Sequence, residues 1–231
     1  MTNTVILTGT SSFTKAGLGT LSLRPASPNL NSGTTLVTAG TLVMGSSGGR
    51  VVIPGDLIVT NTGDARLGAA NTITNTATVS MASGATFEMN GNPLSVSNFV
   101  LNGGTVTQTS TEFLTNAVFD ARSGSISQSG GTGKLDAGML TKSTPGTVTL
   151  TGRGSSAASG IANTVVNDGA LILDYTQSSS KLADAGTLTV NGGSLVFTNG
   201  SSTETVGAVT ITGGVINEFG RHVEIVTGRQ L

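Results

Sequence analysis

The sequence predicts an all-β protein, a right-handed parallel β-helix (β-solenoid) that runs as a single elongated body over residues 1–231. Three observations predict it. The composition, with 34 glycines, no Trp or Cys and only 10% charged residues, supplies turns and short strands and withholds the Lys and Glu that clothe exposed helices. A glycine followed by a short strand with apolar residues two apart recurs from one end to the other. Several of these starts lie roughly 15 to 23 residues apart, the length of one coil in a solenoid where each coil touches only its neighbours.

Residues 2–10 read as a first strand with no cap in front of it. Gly19-Thr-Leu-Ser-Leu23, Gly40-Thr-Leu-Val-Met44 and Gly55-Asp-Leu-Ile-Val59 follow, and then Gly104-Thr-Val106 and Gly124-Ser-Ile126. Gly146-Thr-Val-Thr-Leu150, Gly169-Ala-Leu-Ile-Leu173, Gly186-Thr-Leu-Thr-Val190, Gly193-Ser-Leu-Val-Phe197 and Gly207-Ala-Val-Thr-Ile211 complete the series. In each, period-two alternation sets Leu, Val, Ile or Phe on one face and Thr or Ser on the other, and the leading glycine accepts φ > 0 at the corner. An antiparallel sandwich would space its strands about 8–12 residues apart and lean on aromatic residues, of which there are seven Phe and one Tyr. The last stretch, residues 219–226, would cap the core or join an interface, because open strand edges invite end-to-end association.

Longer repeats are also present. Thr14-Lys-Ala-Gly-Leu-Gly-Thr-Leu-Ser-Leu23 is echoed by Thr141-Lys-Ser-Thr-Pro-Gly-Thr-Val-Thr-Leu150. Gly84-Ala-Thr-Phe-Glu-Met89 through Val106 is echoed by Gly193-Ser-Leu-Val-Phe197 through Ile216. Two similar units, roughly 1–139 and 140–231, therefore lie head to tail along one axis.

Phe13-Thr-Lys-Ala-Gly-Leu-Gly-Thr-Leu-Ser-Leu23, followed by Ser32-Gly-Thr-Thr-Leu-Val-Thr-Ala-Gly-Thr-Leu-Val-Met-Gly45, resembles the autotransporter-associated β-strand repeat of bacterial passenger regions. A looser copy ends in Asn163-Thr-Val-Val-Asn-Asp-Gly-Ala-Leu-Ile-Leu173. The resemblance implies a parallel β-helix displayed on a Gram-negative surface, exported through a C-terminal β-barrel and serving adhesion or aggregation. No stretch reads as that barrel, whose strands run about ten residues, since the chain closes on Val226-Thr-Gly-Arg-Gln-Leu231.

A net charge of −1 with scattered cations offers no phosphate-neutralising patch, so nucleic acid is not expected as a partner. Neither a signal peptide nor a membrane span is legible at the N-terminus, and no membrane insertion is expected of this segment. The absence of cysteine rules out disulfides and thiolate metal sites.

Candidate chemistry is sparse. His222 and Glu224 alternate onto one face of a strand near the C-terminus, which reads as an exposed pair on the last coil. Asp168 with Asp174, and Asp120 with Arg122, are the nearest approach to a carboxylate cluster, and turn or strand-edge duties account for them. Asp56, Asp64, Glu88, Glu112, Asp136 and Glu204 stand apart in sequence; a glycan-active site would need carboxylates from adjacent coils to meet on one face. Gly130-Gly-Thr-Gly-Lys-Leu-Asp136 departs from the calcium nonapeptide, and Gly17-Leu-Gly19 lacks what a phosphate loop requires. Asn102 and Asn191 read as corner caps or ladder members. The hydroxyl pairs of Thr105 and Thr107 and of Thr147 and Thr149 form outward rows that could meet glycans.

The expectation is a non-catalytic β-solenoid, with no catalytic, cofactor or metal residue assigned, acting as a stalk or adhesin-like passenger segment of a bacterial surface or secreted protein. Host-cell surfaces, glycans or copies of itself are its expected partners, in an extracellular or outer-surface location. A structural fibre or decoration subunit of a virion is the alternative, and a glycan-active β-helix enzyme the third class.

Overall fold

A computed structural model describes residues 2–227 of the chain except 5, 47, 110–111, 130–132, 152–159, 179, 201–202 and 220–223. It is a parallel β-solenoid of about 9 turns. Among the described residues the only helical element is the 3₁₀ turn Tyr175–Gln177.

Each coil crosses three ladders in order. The first carries Phe13–Lys15 and later Thr78–Ala82, Ile161–Val166, Leu182–Val190 and Ala208–Ile211. The second carries Thr20–Leu23, Thr86–Glu88, Thr147–Leu150, Ala170–Asp174, Ser194–Thr198 and Val215–Phe219. Thr35–Met44, Leu57–Leu67, Leu94–Gln108 and Phe113–Gln128 bend from one ladder into the next through register shifts. The third, shorter ladder holds pairs such as Leu114 beside Leu135 and Thr203–Val206 beside Glu224–Thr227. Every pairing in these ladders is parallel, and a 17-stranded sheet runs through both sequence repeats.

Register partners lie about 19 to 24 residues apart. That is longer than several spacings between glycine-led strands, because one coil holds two of them: Gly186-to-Val190 and Gly193-to-Phe197 occupy successive ladders of the same turn. The expected first strand over residues 2–10 is instead two short pieces on different ladders. Thr2–Asn3 pairs with Ser22 and Leu23, and Thr8–Gly9 with Leu30–Asn31.

The bore is filled by columns of aligned apolar residues. Leu42, Ala65, Phe87, Val106, Ile126, Leu150, Leu173 and Phe197 follow one another in register along the second ladder. On the first, Leu57, Val79, Phe99, Phe119 and Leu140 do the same. Phe99 meets Phe87 edge-on at 6.2 Å and Phe119 at 5.8 Å, close to the separations that aromatic quadrupoles favour. Among the described residues the register next places Glu218 beside Phe197, and Glu218, Ile211, Val215 and Phe219 are exposed there.

Corners need glycine where coils approach closely. Gly40 has φ +63°, and a Cβ there would lie 2.5 Å from the Gly17 carbonyl oxygen; Gly169 has φ +64°, and its Cβ would lie 2.3 Å from that of Thr144. These two glycines sit one coil above Lys15 and Lys142, at matching places in the two sequence repeats.

Candidate binding surface

Asp168, Asp174, Asp120 and Gly17, singled out in the sequence, have local structural duties. Asp168 accepts from its neighbour Gly169 N at 2.7 Å, closing a corner. Asp174 accepts from Thr176 N at 2.9 Å and from Thr176 Oγ1 at 2.6 Å, heading the 3₁₀ turn. Burial works against the Asp174 charge, but those hydrogen bonds outweigh it and hold the carboxyl below its ordinary range. Arg122 Nε donates to Asp120 Oδ2 at 2.7 Å on the outer side of one strand.

Asn191 is a ladder member: its Nδ2 donates to Asn167 Oδ1 at 2.8 Å and its Oδ1 accepts from Thr212 Oγ1 at 2.9 Å. Asn102 is exposed at the bend in Leu94–Gln108. Gly17 lends its carbonyl to Lys15 Nζ at 2.7 Å and so is a corner. His222, the side chain of Glu224 and residues 130–132 of the glycine run lie outside the described residues.

Three arrangements were not legible in the sequence. The first is the pair of buried corner lysines. Lys15 Nζ donates to the carbonyls of Gly17 and, one coil on, Ala39 at 2.7 and 2.8 Å. Lys142 Nζ, fully buried, donates to the carbonyls of Thr144 and, at 3.2 Å, Asp168. The shared Thr-Lys of the two repeats was visible, but not that the ammonium would stitch coil to coil.

The second is a buried polar knot. Glu204, with no exposed surface, accepts from the Tyr175 hydroxyl, Ser180 Oγ, Lys181 N and Leu182 N, the last three at 3.0 to 3.1 Å. Burial pushes the Glu204 carboxyl up against the pull of these donors, and pushes the Tyr175 hydroxyl up as well. Lys181, whose Nζ lies 5.4 Å from the Tyr175 ring centre, is driven down to about 7 by the same loss of solvent.

The third is on the outer face of the second ladder. Arg66 aligns with Glu88 one coil on, and its guanidinium pairs with that carboxylate and reaches Asp64 at 3.8 Å. Burial, and then the Glu88 charge, raise the Asp64 carboxyl. The bond to Glu88 raises Arg66. Asp64 aligns with Thr86 and Glu88 with Arg66, so two carboxylates that stand far apart in sequence lie on adjacent coils with Arg66 reaching both.

Next to this group lies a groove of about 310 Å³ lined by Glu88, Asn90, Thr107, Thr109, Ser127 and Ser129. Thr107 aligns with Glu88 below and with Ser127 above, so the groove spans three coils. Its wall is held by Glu112, fully buried, which accepts from Gly91 N at 2.8 Å, Thr109 N at 2.9 Å and Thr109 Oγ1 at 3.1 Å. Two other grooves, of about 280 and 380 Å³, mix apolar and polar residues in their linings.

Among the described residues no three His, Asp or Glu side chains gather as metal ligands, and no helix is long and apolar enough to cross a membrane. The fold and this surface define the class: a parallel β-solenoid with a polar groove along one ladder. Comparison with protein-family models, with curated proteins and with solved structures finds no match.

Proposed function

We propose that the chain is a rigid, non-catalytic β-solenoid segment of a bacterial surface or secreted protein, serving as a stalk or adhesin-like passenger. The observation that carries this reading is the unbroken parallel stack, in which each coil adds about 4.8 Å of rod and buries the faces of its neighbours. The resemblance of residues 13–45 to the autotransporter-associated repeat supports the location. Immunogold electron microscopy of the native source with an antibody to this chain tests it. Label on the outer surface of cells supports display; label confined to virus particles replaces it with a structural subunit of a virion.

One observation favours a second reading, a glycan-active enzyme: Asp64 and Glu88 meet on one face with Arg66 between them. A carboxyl raised by burial, set near a second carboxyl on one face, is an arrangement that glycoside hydrolysis uses. Against it, Arg66 already neutralises Glu88. Turnover of glycans by the purified chain that disappears in Asp64→Asn would establish this reading over the scaffold.

A further inference from the structure

We infer that the groove lined by Glu88, Asn90, Thr107, Thr109, Ser127 and Ser129 is a binding site for a neutral, hydroxyl-rich glycan, about two sugar rings long. The inference goes beyond the scaffold reading, because binding by the purified chain holds wherever the protein resides.

The ligand class follows from the lining. All six side chains are polar: the hydroxyls of Thr107, Ser127 and Ser129 can donate and accept, while Thr109, whose hydroxyl donates to Glu112, Asn90, whose amide donates to the Leu67 carbonyl, and Glu88 offer chiefly acceptors. A sugar presents the complementary set, hydroxyls that both donate and accept. Phosphate and sulfate are disfavoured because no cation is among the lining residues and the neighbouring Arg66 guanidinium is already paired with Glu88. A lipid or apolar drug-like ligand would leave these polar groups unpaired on burial, at a cost in affinity. A divalent cation would find a single carboxylate, too few ligands for a tight oxygen site.

The length follows from the register. Glu88 and Asn90 lie on one coil, Thr107 and Thr109 on the next, Ser127 and Ser129 on the third. Adjacent strands are about 4.8 Å apart, and alternate residues along a strand about 6.5 Å. Across three coils the lining is therefore about 10 Å long, close to the length of two pyranose rings in an extended glycan lying along the rod axis. The volume is at the small end for ligand sites.

The groove also differs from an ordinary outward row of threonines by being built. Asn90, at φ +50°, and Gly91, at φ +77°, form a left-handed turn. The buried Glu112 carboxylate ties that turn through Gly91 N to the backbone and hydroxyl of Thr109. Asn90 Nδ2 is held in turn by the Leu67 carbonyl at 3.1 Å. Two walls of the groove are thus fixed before any ligand arrives, which lowers the ordering cost of binding.

The test is a titration of the purified ¹⁵N-labelled chain with cellobiose, N,N′-diacetylchitobiose, lactose and maltose, followed by amide chemical shifts. For at least one disaccharide, the expected result is saturable shifts confined to the backbone around residues 88–91, 107–109 and 127–129, with a Kd of roughly 1–10 mM. Thr107→Val and Ser127→Ala together should weaken that binding at least about tenfold, since each removes a hydrogen-bonding group from the contact. Thr189→Val with Thr210→Val, on the outer row of the first ladder, should leave it unchanged. Shifts spread evenly over outward hydroxyls on all ladders would overturn the proposal. So would no saturable shift with any of the four sugars up to about 100 mM, or equal binding by well-folded groove variants. Failure here leaves surface labelling unaffected, so the two readings stand or fall separately.

Discussion

Lys142 is the residue at which charge and packing are most tightly joined. Its ammonium has no exposed surface, and it holds carbonyls from its own corner and from the coil above. Lys142→Met keeps the stem but strands those carbonyls, and a buried acceptor that loses a charged donor costs about 1.5–3 kcal/mol. Urea unfolding should therefore show Lys142→Met less stable by about 3 kcal/mol. Burial opposes the charge of both lysines, and at Lys181 the effect is large. Its folded value of about 7 lies below the ordinary 10.5, so the unfolded chain binds more protons between those values. Its contribution to stability is complete above pH 10.5 and is lost as pH falls through about 7. Glu204 has the opposite sign: its raised carboxyl contributes below its ordinary 4.5 and loses that contribution as pH rises through the folded value. The stability curve should climb between pH 7 and 10.5, and Lys181→Met should flatten that limb, as read by denaturant midpoints at a series of pH values.

At the scale of the element, the strands are short and weak alone, and what stabilises them is alignment. Phe99 stands between Phe87 and Phe119 in aromatic contact and is fully buried on the first ladder. Phe99→Ala should cost about 3–5 kcal/mol, because the coils above and below are hydrogen-bonded and cannot collapse into the cavity. Phe113 shares the residue type but faces outward, with Lys134 Nζ 5.0 Å from its ring centre. Phe113→Ala should cost no more than about 1 kcal/mol. Chemical denaturation of the two variants side by side makes the comparison.

For the whole molecule, one-dimensional stacking sets how stability is distributed. Interior coils have two neighbours, whereas Ala208–Ile211 and Val215–Phe219 have register partners on one side among the described residues. Opening free energy in such an array falls toward the ends. Amide hydrogen exchange should be slowest in Leu57–Leu67, Leu94–Gln108 and Phe113–Gln128, and at least about tenfold faster in Val215–Phe219. Uniform protection along the rod would contradict nearest-neighbour stacking.

Much of this was legible in the sequence, because strand alternation and corner glycines are local properties. Leu, Val, Ile and Phe two residues apart after a glycine specify which face is buried, whichever coil lies next to it. The same locality explains why Asp168 and Asp174 could be read as turn residues, since the groups they accept from are within two positions; Asp120, read as a strand-edge charge, instead lies mid-strand with register partners on both sides. Which distant residues meet was decided by the tertiary structure. Coil length varies from about 19 to 24 residues, so register accumulates from every loop before it. That accumulated register places Glu88 beside Arg66 and aligns Thr107 with Ser127. It also closes Glu204 into the core, where a Thr-Glu-Thr-Val strand alone reads as solvent-facing. The sequence by itself determined the class of fold, through the two-residue period of its strands. The groove and the buried charges were decided only by stacking, because they depend on the lengths of turns that carry no periodic signal.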